Sequence, residues 1–477
     1  MNEAQLNAIV EQVVRKLSGE LARVPSMSSP GAKASVAPAI ISRRPGIFDD
    51  LDSAAAAATK AQEQWVRTSV ETREKVIEAM REVTRRNVEE LSRMAVEETG
   101  LGNVKDKISK NLLVANKTPG MEILKPIAVS GDHGLMLLER AAYGVIGAIT
   151  PSTNPTETII NNGIGMVAGG NAVVFNCHPS AKGVCTFFIA KLNEGIVAAG
   201  GPQNLIVTIG SPTIESAQAL MKHPAIRLVV VTGGPLVVKA AMASGKRAIC
   251  GGPGNPPAVV DDTADLDRAA KDIVDGASLD NNIVCIVEKE IFAVASIADE
   301  LKKNMTKYGG YEVPSSAINR LEKLVVDDGH AARDWVGKDA TKIAEAAGLR
   351  APAGTRLLFA EVDPTHPFIQ AELLMPVIGF SRLKTVEDCI AAALQAEHGF
   401  GHTATMHSTN IDHLSAMAKV MNTSIFVKNG PSFAGLGLTG EGYTSFTIAS
   451  PTGEGLTTAI SFTRERRCTL KDSFRII

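Results

Sequence analysis

The chain has 477 residues, 45% hydrophobic and 21% charged, enough for two or three soluble globular domains with substantial cores. Lys plus Arg number 49 and Asp plus Glu 51, a formal charge of −2, so nothing in the balance points to a nucleic-acid partner. The six cysteines form no CxxC pair and no run approaches the roughly 18 apolar residues of a membrane span, which sets aside a disulfide scaffold and a membrane protein in favour of a reduced cytoplasmic one.

In chain order, residues 3–21 predict a short amphipathic helix with Leu6, Ile9, Val10, Val13, Leu17 and Leu21 on one face. Its polar face is not strongly basic, which disfavours a membrane surface. Such a helix cannot bury its stripe against itself, so it docks on its own oligomer or on another protein. Residues 22–44, with Pro25, Pro30, Pro38 and many serines, read as a mobile linker. Residues 53–118 are helix-rich. Apolar strands are then expected at 144–149, 172–175, 205–207 and 227–231, separated by helices at 157–168, 181–199 and 213–222. Strand, helix, strand at this spacing argues for a parallel sheet with crossover helices. A second alternating series runs from 257 to about 427. The tail is expected to carry a strand at 456–463 that pairs with 124–142.

Two residue types in this pattern carry chemistry. Cys285 sits in Asp280-Asn281-Asn282-Ile283-Val284-Cys285, and Asn154 in Pro151-Ser152-Thr153-Asn154-Pro155. A thiol can add to a carbonyl, and an amide N–H can hold the oxyanion that results. The pair suits an enzyme acting on aldehydes or acyl groups. Gly435 to Gly440 match GxGxxG but precede no clear helix, so a flexible loop is the better reading. Gly163 and Gly165 lie in a helical pattern and read as close helix packing. His398 and His402 are four apart, but Gly399 and Gly401 between them disfavour a metal-binding helix, and no metal site is expected. Read singly, His178, His223, His366 and His407 are structural or solvent-facing.

The ordered motifs resemble the aldehyde dehydrogenase superfamily over nearly the whole chain. They are Gly46-Ile47-Phe48-Asp49-Asp50-Leu51, Glu97-Glu98-Thr99-Gly100-Leu101-Gly102, Thr150-Pro151-Ser152-Thr153-Asn154-Pro155 and Thr232-Gly233-Gly234-Pro235. Gly251-Gly252-Pro253-Gly254-Asn255-Pro256-Pro257, Glu372-Leu373-Leu374-Met375-Pro376-Val377, Gly401-His402-Thr403-Ala404 and Pro451-Thr452-Gly453-Glu454-Gly455 complete the set. More narrowly, the chain looks like the CoA-acylating aldehyde dehydrogenases of bacterial microcompartments, of the propionaldehyde type.

The resemblance implies an α/β fold with two parallel-sheet Rossmann-like domains and a small β oligomerisation arm. It divides the chain into an N-terminal helix (1–21), a linker (22–44), a cofactor-binding domain (45–123 and 143–253), a catalytic domain (254–445) and the arm (124–142 and 446–477). It implies NAD as cofactor and coenzyme A as co-substrate. Cys285, Asn154 and His402 would be catalytic, His402 moving protons to or from thiols with an ordinary pKa of about 6.5. Thr150, Pro151, Ser152, His178, Thr232, Gly233, Gly234 and Glu372 would bind the cofactor, with Thr232 to Gly234 beside the diphosphate and Glu372 on the nicotinamide ribose. Residues 1–21 resemble an encapsulation peptide, which implies a shell protein or co-packaged enzyme as partner, a place in the microcompartment lumen, and a dimer or tetramer.

Two departures separate the chain from hydrolytic relatives. Those carry a water-activating glutamate two residues before a Gly-Gly pair; here the pair is Gly251-Gly252 and Ile249 stands in that place. They also carry a lysine on the adenosine ribose where this chain has Asn176 or His178. Without the glutamate a thiol acceptor can outcompete water, so the expected product is acyl-CoA from a short aldehyde, propanal favoured. Acetaldehyde or lactaldehyde as substrate, release of a free acid, and a non-catalytic scaffold are the alternatives.

Overall fold

The strand Val145–Ile149 is buried on both faces, as an uninterrupted apolar run must be in a parallel sheet covered by helices. It is central to a six-stranded parallel sheet in the computed structural model, which describes residues 44–477. The N-terminal helix and nearly all of the linker expected from sequence lie outside the described residues. The strand order is Ile47–Phe48, Ile206–Ile209, Ala172–Asn176, Val145–Ile149, Ile226–Thr232, Ala248–Gly251. Chain order therefore reverses direction between Val145–Ile149 and Ile226–Thr232. In open α/β sheets ligands bind at the carboxyl ends of the strands that flank such a switch. The loops that leave these two strands begin at Thr150 and Gly233.

Helices Leu51–Trp65, Val70–Thr99 and Val104–Lys117 build the helix-rich stretch. Each begins on a side-chain cap, from Asp50, Ser69 and Asn103 respectively. Trp65 is fully buried and its indole N–H donates to the carbonyl of Val167 at 2.9 Å, which fixes the first helix against Pro155–Ala168. Gly165 lies where a side chain would meet the Phe462 ring at 3.1 Å, so this glycine does serve close packing.

A second sheet of seven parallel strands follows, in the order Gly310–Glu312, Leu357–Glu361, Val377–Leu383, Glu290–Val294, Pro257–Val260, Thr403–His407, Ile425–Lys428. Its four central strands are neighbours although they are spread over 150 residues of sequence. The segments that enter them carry Gly254, Cys285, Glu372 and His402.

The expected tail strand is displaced. Leu456 only bridges Ile448, and the strand proper is Thr463–Lys471, antiparallel to Gly134–Ala142. Ile127–Gly131 completes this three-stranded sheet. The displacement has a plain cause: Arg464 to Lys471 are exposed and mostly charged or polar, so no hydrophobic run advertised them. The Gly435–Gly440 loop follows a short 3-10 turn and is pinned rather than free, since the Lys117 ammonium donates to the carbonyls of Gly437 and Gly440 at 2.7 and 2.8 Å. No described helix is long and apolar enough to cross a membrane.

Candidate active site

Cys285 is partly buried, and its neighbours Val284, Ile286 and Val287 pack into the core of the six-stranded sheet. The thiol therefore sits where the two sheets meet. The backbone leading to it is unusual: Asp280, Asn281 and Asn282 have φ of 48°, 55° and 66°. Asp and Asn tolerate this left-handed region better than other non-glycine residues. Each is also held by side-chain bonds. Asn281 donates to the Gly337 carbonyl at 2.9 Å, and Asn282 donates to the carbonyls of Ala277 and Glu288 at 2.7 and 2.9 Å.

Lys289 grips the same turn from below. Its buried ammonium donates to the Asn282 carbonyl at 2.7 Å, to Asn282 Oδ1 at 2.6 Å and to the Val284 carbonyl at 3.3 Å. Burial pushes the Cys285 thiol up to about 12, and the nearby Glu372 carboxylate adds to this. Lys289, the cysteine's own backbone N–H and Lys110 oppose the rise. In this state the thiol is protonated at neutral pH. Burial also raises Glu372 to about 7, against the pull of Lys289 and of a 3.4 Å bond from the Gly254 N–H. Both carboxyl oxygens of Glu290 are buried with no hydrogen-bond partner among the described residues, and burial pushes this carboxyl well above the usual carboxylate range.

Gly254 separates the thiol loop from His402. A Cβ there would lie 2.8 Å from the Cys285 carbonyl oxygen and 2.9 Å from His402 Cγ, so only glycine lets the two approach. His402 is 1% exposed. Its Nδ1 pairs with Thr403 Oγ1 at 2.9 Å, while Nε2 is buried with no hydrogen-bond partner among the described residues. The expectation of a group titrating near neutrality is corrected here. Burial, reinforced by repulsion from Lys289, pushes His402 down to about 4, so the imidazole is neutral at working pH.

Asn154 ends the loop from Val145–Ile149 and occupies the N-cap position of Pro155–Ala168. Its amide makes no cap bond. Instead Oδ1 accepts from the Lys110 ammonium at 2.5 Å, and Nδ2 lies 3.3 Å from Thr153 Oγ1. Lys110 also meets Asp280 Oδ2 at 2.5 Å, and Lys107 reaches Asp280 Oδ2 and the Thr153 carbonyl, both at 3.0 Å. Sequence reading missed Lys107, Lys110 and Lys289. In Lys-Asp-Lys-Ile-Ser-Lys-Asn the first two look like a solvated helix face, and no spacing rule distinguishes them.

Of the residues expected at the cofactor, Thr150 to Ser152 and Thr232 to Gly234 come together at the switch point. Thr232 Oγ1 pairs with Thr447 Oγ1 at 2.6 Å. The Gly233 N–H is already engaged with the Gly251 carbonyl at 3.1 Å, so it is not available to an anion. Gly234 caps helix Pro235–Met242 and faces open space. A groove of about 500 Å³ runs beside this helix, lined by Pro235, Val238, Met242, Pro253, Phe400 and Pro451. An exposed helix start beside an apolar groove that ends next to Gly254 fits an anionic group with a flat ring at either side. His178 is exposed and its ring pairs with Ser180, while Asn176 is occupied with Ser216 and Thr213. Ile249 is wholly buried in the strand Ala248–Gly251.

This fold, with a thiol held between two parallel sheets, is that of an aldehyde dehydrogenase, and the chain belongs to the aldehyde dehydrogenase family, whose profile matches residues 43–309. Within the family it falls in the CoA-acylating branch. It is 48% identical over 484 aligned positions to the acetylating acetaldehyde dehydrogenase EutE of Salmonella typhimurium, covering 100% of both chains. It is 49% identical to the propionaldehyde dehydrogenase of Rhodopseudomonas palustris, solved with bound CoA and an acylated cysteine; the TM-score is 0.88, over 90% of this chain and 98% of that one. A propionaldehyde dehydrogenase from the fucose-utilisation microcompartment of Clostridium phytofermentans is 47% identical, with a TM-score of 0.89 over 91% of this chain and 100% of that one.

Proposed function

We propose that the protein oxidises a short linear aldehyde to its CoA thioester, with propanal as preferred substrate and NAD as hydride acceptor. Cys285 Sγ gives up its proton to solvent, adds to the aldehyde carbon and forms the thiohemiacetal as its oxyanion. Asn154 Nδ2 and the Cys285 backbone N–H hold the oxyanion. When bound, a nicotinamide dinucleotide supplies the hydride acceptor that turns this adduct into a thioester. Gly234, the start of Pro235–Met242 and the groove beside it would hold the dinucleotide, with Glu372 toward its ribose. His402, neutral and with an unpartnered Nε2, accepts the proton of the incoming CoA thiol. The CoA sulfur then attacks the thioester carbon, the bond to Cys285 Sγ breaks, and the departing thiolate takes the proton back from His402.

The observation that carries this reading is a thiol at the sheet junction with apolar Ile249 in place of a water-activating carboxylate. Acetaldehyde is the second reading, supported by the 48% identity to EutE; the R. palustris and C. phytofermentans structures support propanal. Comparing kcat/KM for C2, C3 and C4 aldehydes, with either dinucleotide and with or without CoA, tests all of it. Acyl-CoA should dominate, with C3 highest. A free acid as main product would overturn the proposal.

The C. phytofermentans relative belongs to a microcompartment. We accordingly propose residues 1–21 as the segment that carries this protein into one, as a homo-oligomer built on the three-stranded sheet. A fluorescent protein fused behind residues 1–21 should form puncta in cells that assemble shells. Uniform fluorescence there would count against it.

A further inference from the structure

The ammonium of Lys110 donates to two acceptors and is ion-paired with a third group. It donates to Asn154 Oδ1 and Asp280 Oδ2 at 2.5 Å each, and lies 3.2 Å from Glu157 Oε1. All four side chains are buried. Burial alone would depress the lysine, but Asp280 and Glu157 pull it above its usual range, so it is charged. An ammonium accepts no hydrogen bond, so only the oxygen of the Asn154 amide can face it, and the orientation of that amide is decided by chemistry. Asparagine at a helix N-cap normally caps the helix with this oxygen. Here the cap bond is absent and the oxygen goes to Lys110.

The same ammonium holds the nucleophile's loop. Asp280 begins the left-handed run before Cys285. Its Oδ1 accepts from the Asn103 N–H at 2.8 Å and its own N–H donates to Asp106 at 2.8 Å, so helix Val104–Lys117 and its cap grip it at several points. Lys110 thus ties the loop that leaves the first sheet to the loop that enters the second.

We propose that Lys110 is a positioning residue of the reaction: it turns the Asn154 amide so that Nδ2 faces the carbonyl oxygen, polarises that N–H, and through Asp280 sets its distance from Cys285. The proposal rests on Asn154 being the oxyanion donor. It places part of the oxyanion site on a helix with no other role in the chemistry.

A double-mutant cycle on the full-length enzyme tests it, because residues acting as a unit lose activity non-additively. Asn154→Ala should lower kcat about 100- to 1000-fold. Lys110→Met should lower kcat at least about tenfold, with KM for the aldehyde within about threefold, the signature of an interaction made in the transition state. The double variant should be no slower than Asn154→Ala alone. Removing one buried cation leaves anions uncompensated, so Lys110→Met/Glu157→Gln, which deletes one charge of each sign, serves as the second variant. It should fold, as read by circular dichroism and Tm, and remain as slow as Lys110→Met. Parental turnover in that variant, or fully multiplicative losses in the cycle, would overturn the proposal while leaving the Asn154 reading standing. Parental turnover in Asn154→Ala itself would remove both.

Discussion

Cys285→Ala will be a folded protein that forms acyl-CoA at least about a thousandfold more slowly than the parent, because no other group at the junction can carry the acyl unit. Four of the remaining cysteines, Cys177, Cys185, Cys250 and Cys389, are buried, and Cys468 lies on the exposed tail strand. The substitution removes one sulfur from a partly buried site, so stability should change little. Peptide mass spectrometry supplies the positive half of the test. Parent enzyme supplied with propanal and dinucleotide but no CoA should carry an acyl mass on the peptide containing Cys285. Turnover of the alanine variant within tenfold of the parent would refute the nucleophile.

The free enzyme's thiol will also react slowly with iodoacetamide and speed up steeply with pH. With the thiol raised to about 12, only a trace is ionised at pH 7. The sign is simple: a raised thiol pKa means that the reactive thiolate grows as pH rises. Well below the pKa it grows tenfold per unit, so alkylation of Cys285 should climb roughly a thousandfold from pH 7 to 10 without a plateau. Exposed Cys468 provides the internal comparison in the same digest. A plateau below pH 9 would show that Lys289 and Lys110 outweigh burial, the opposite of the balance found here. Lys289→Met should then be read with care for its second role, since its ammonium also holds the carbonyls of Asn282 and Val284.

The buried strands of the first sheet were legible because apolar runs and their spacing are local signals; their order, and with it the switch point, was not. The first four strands were placed within a residue or two of Val145–Ile149, Ala172–Asn176, Ile206–Ile209 and Ile226–Thr232. The final strand was not, because an exposed charged edge leaves no hydrophobic trace. The candidate nucleophile and amide were named from their motifs. Their supports were not. Lys107 and Lys110 precede Asp280 by about 170 residues, and only the tertiary fold turns a polar helix face inward. The ionisation of His402 was equally invisible, since it depends on burial and on Lys289, which arrives from another strand.

Thr150 to Asn154 leave the carboxyl ends of one sheet, whereas Cys285, Glu372 and His402 enter the amino ends of the other. The core of the first sheet also takes in Val284, Ile286 and Val287, so the two sets share one packed junction. Helix Val104–Lys117 and its cap are the strut common to both, bonding Asn154 on one side and Asp280 on the other. A laboratory library aimed at acceptor or nucleotide preference should therefore leave that strut untouched.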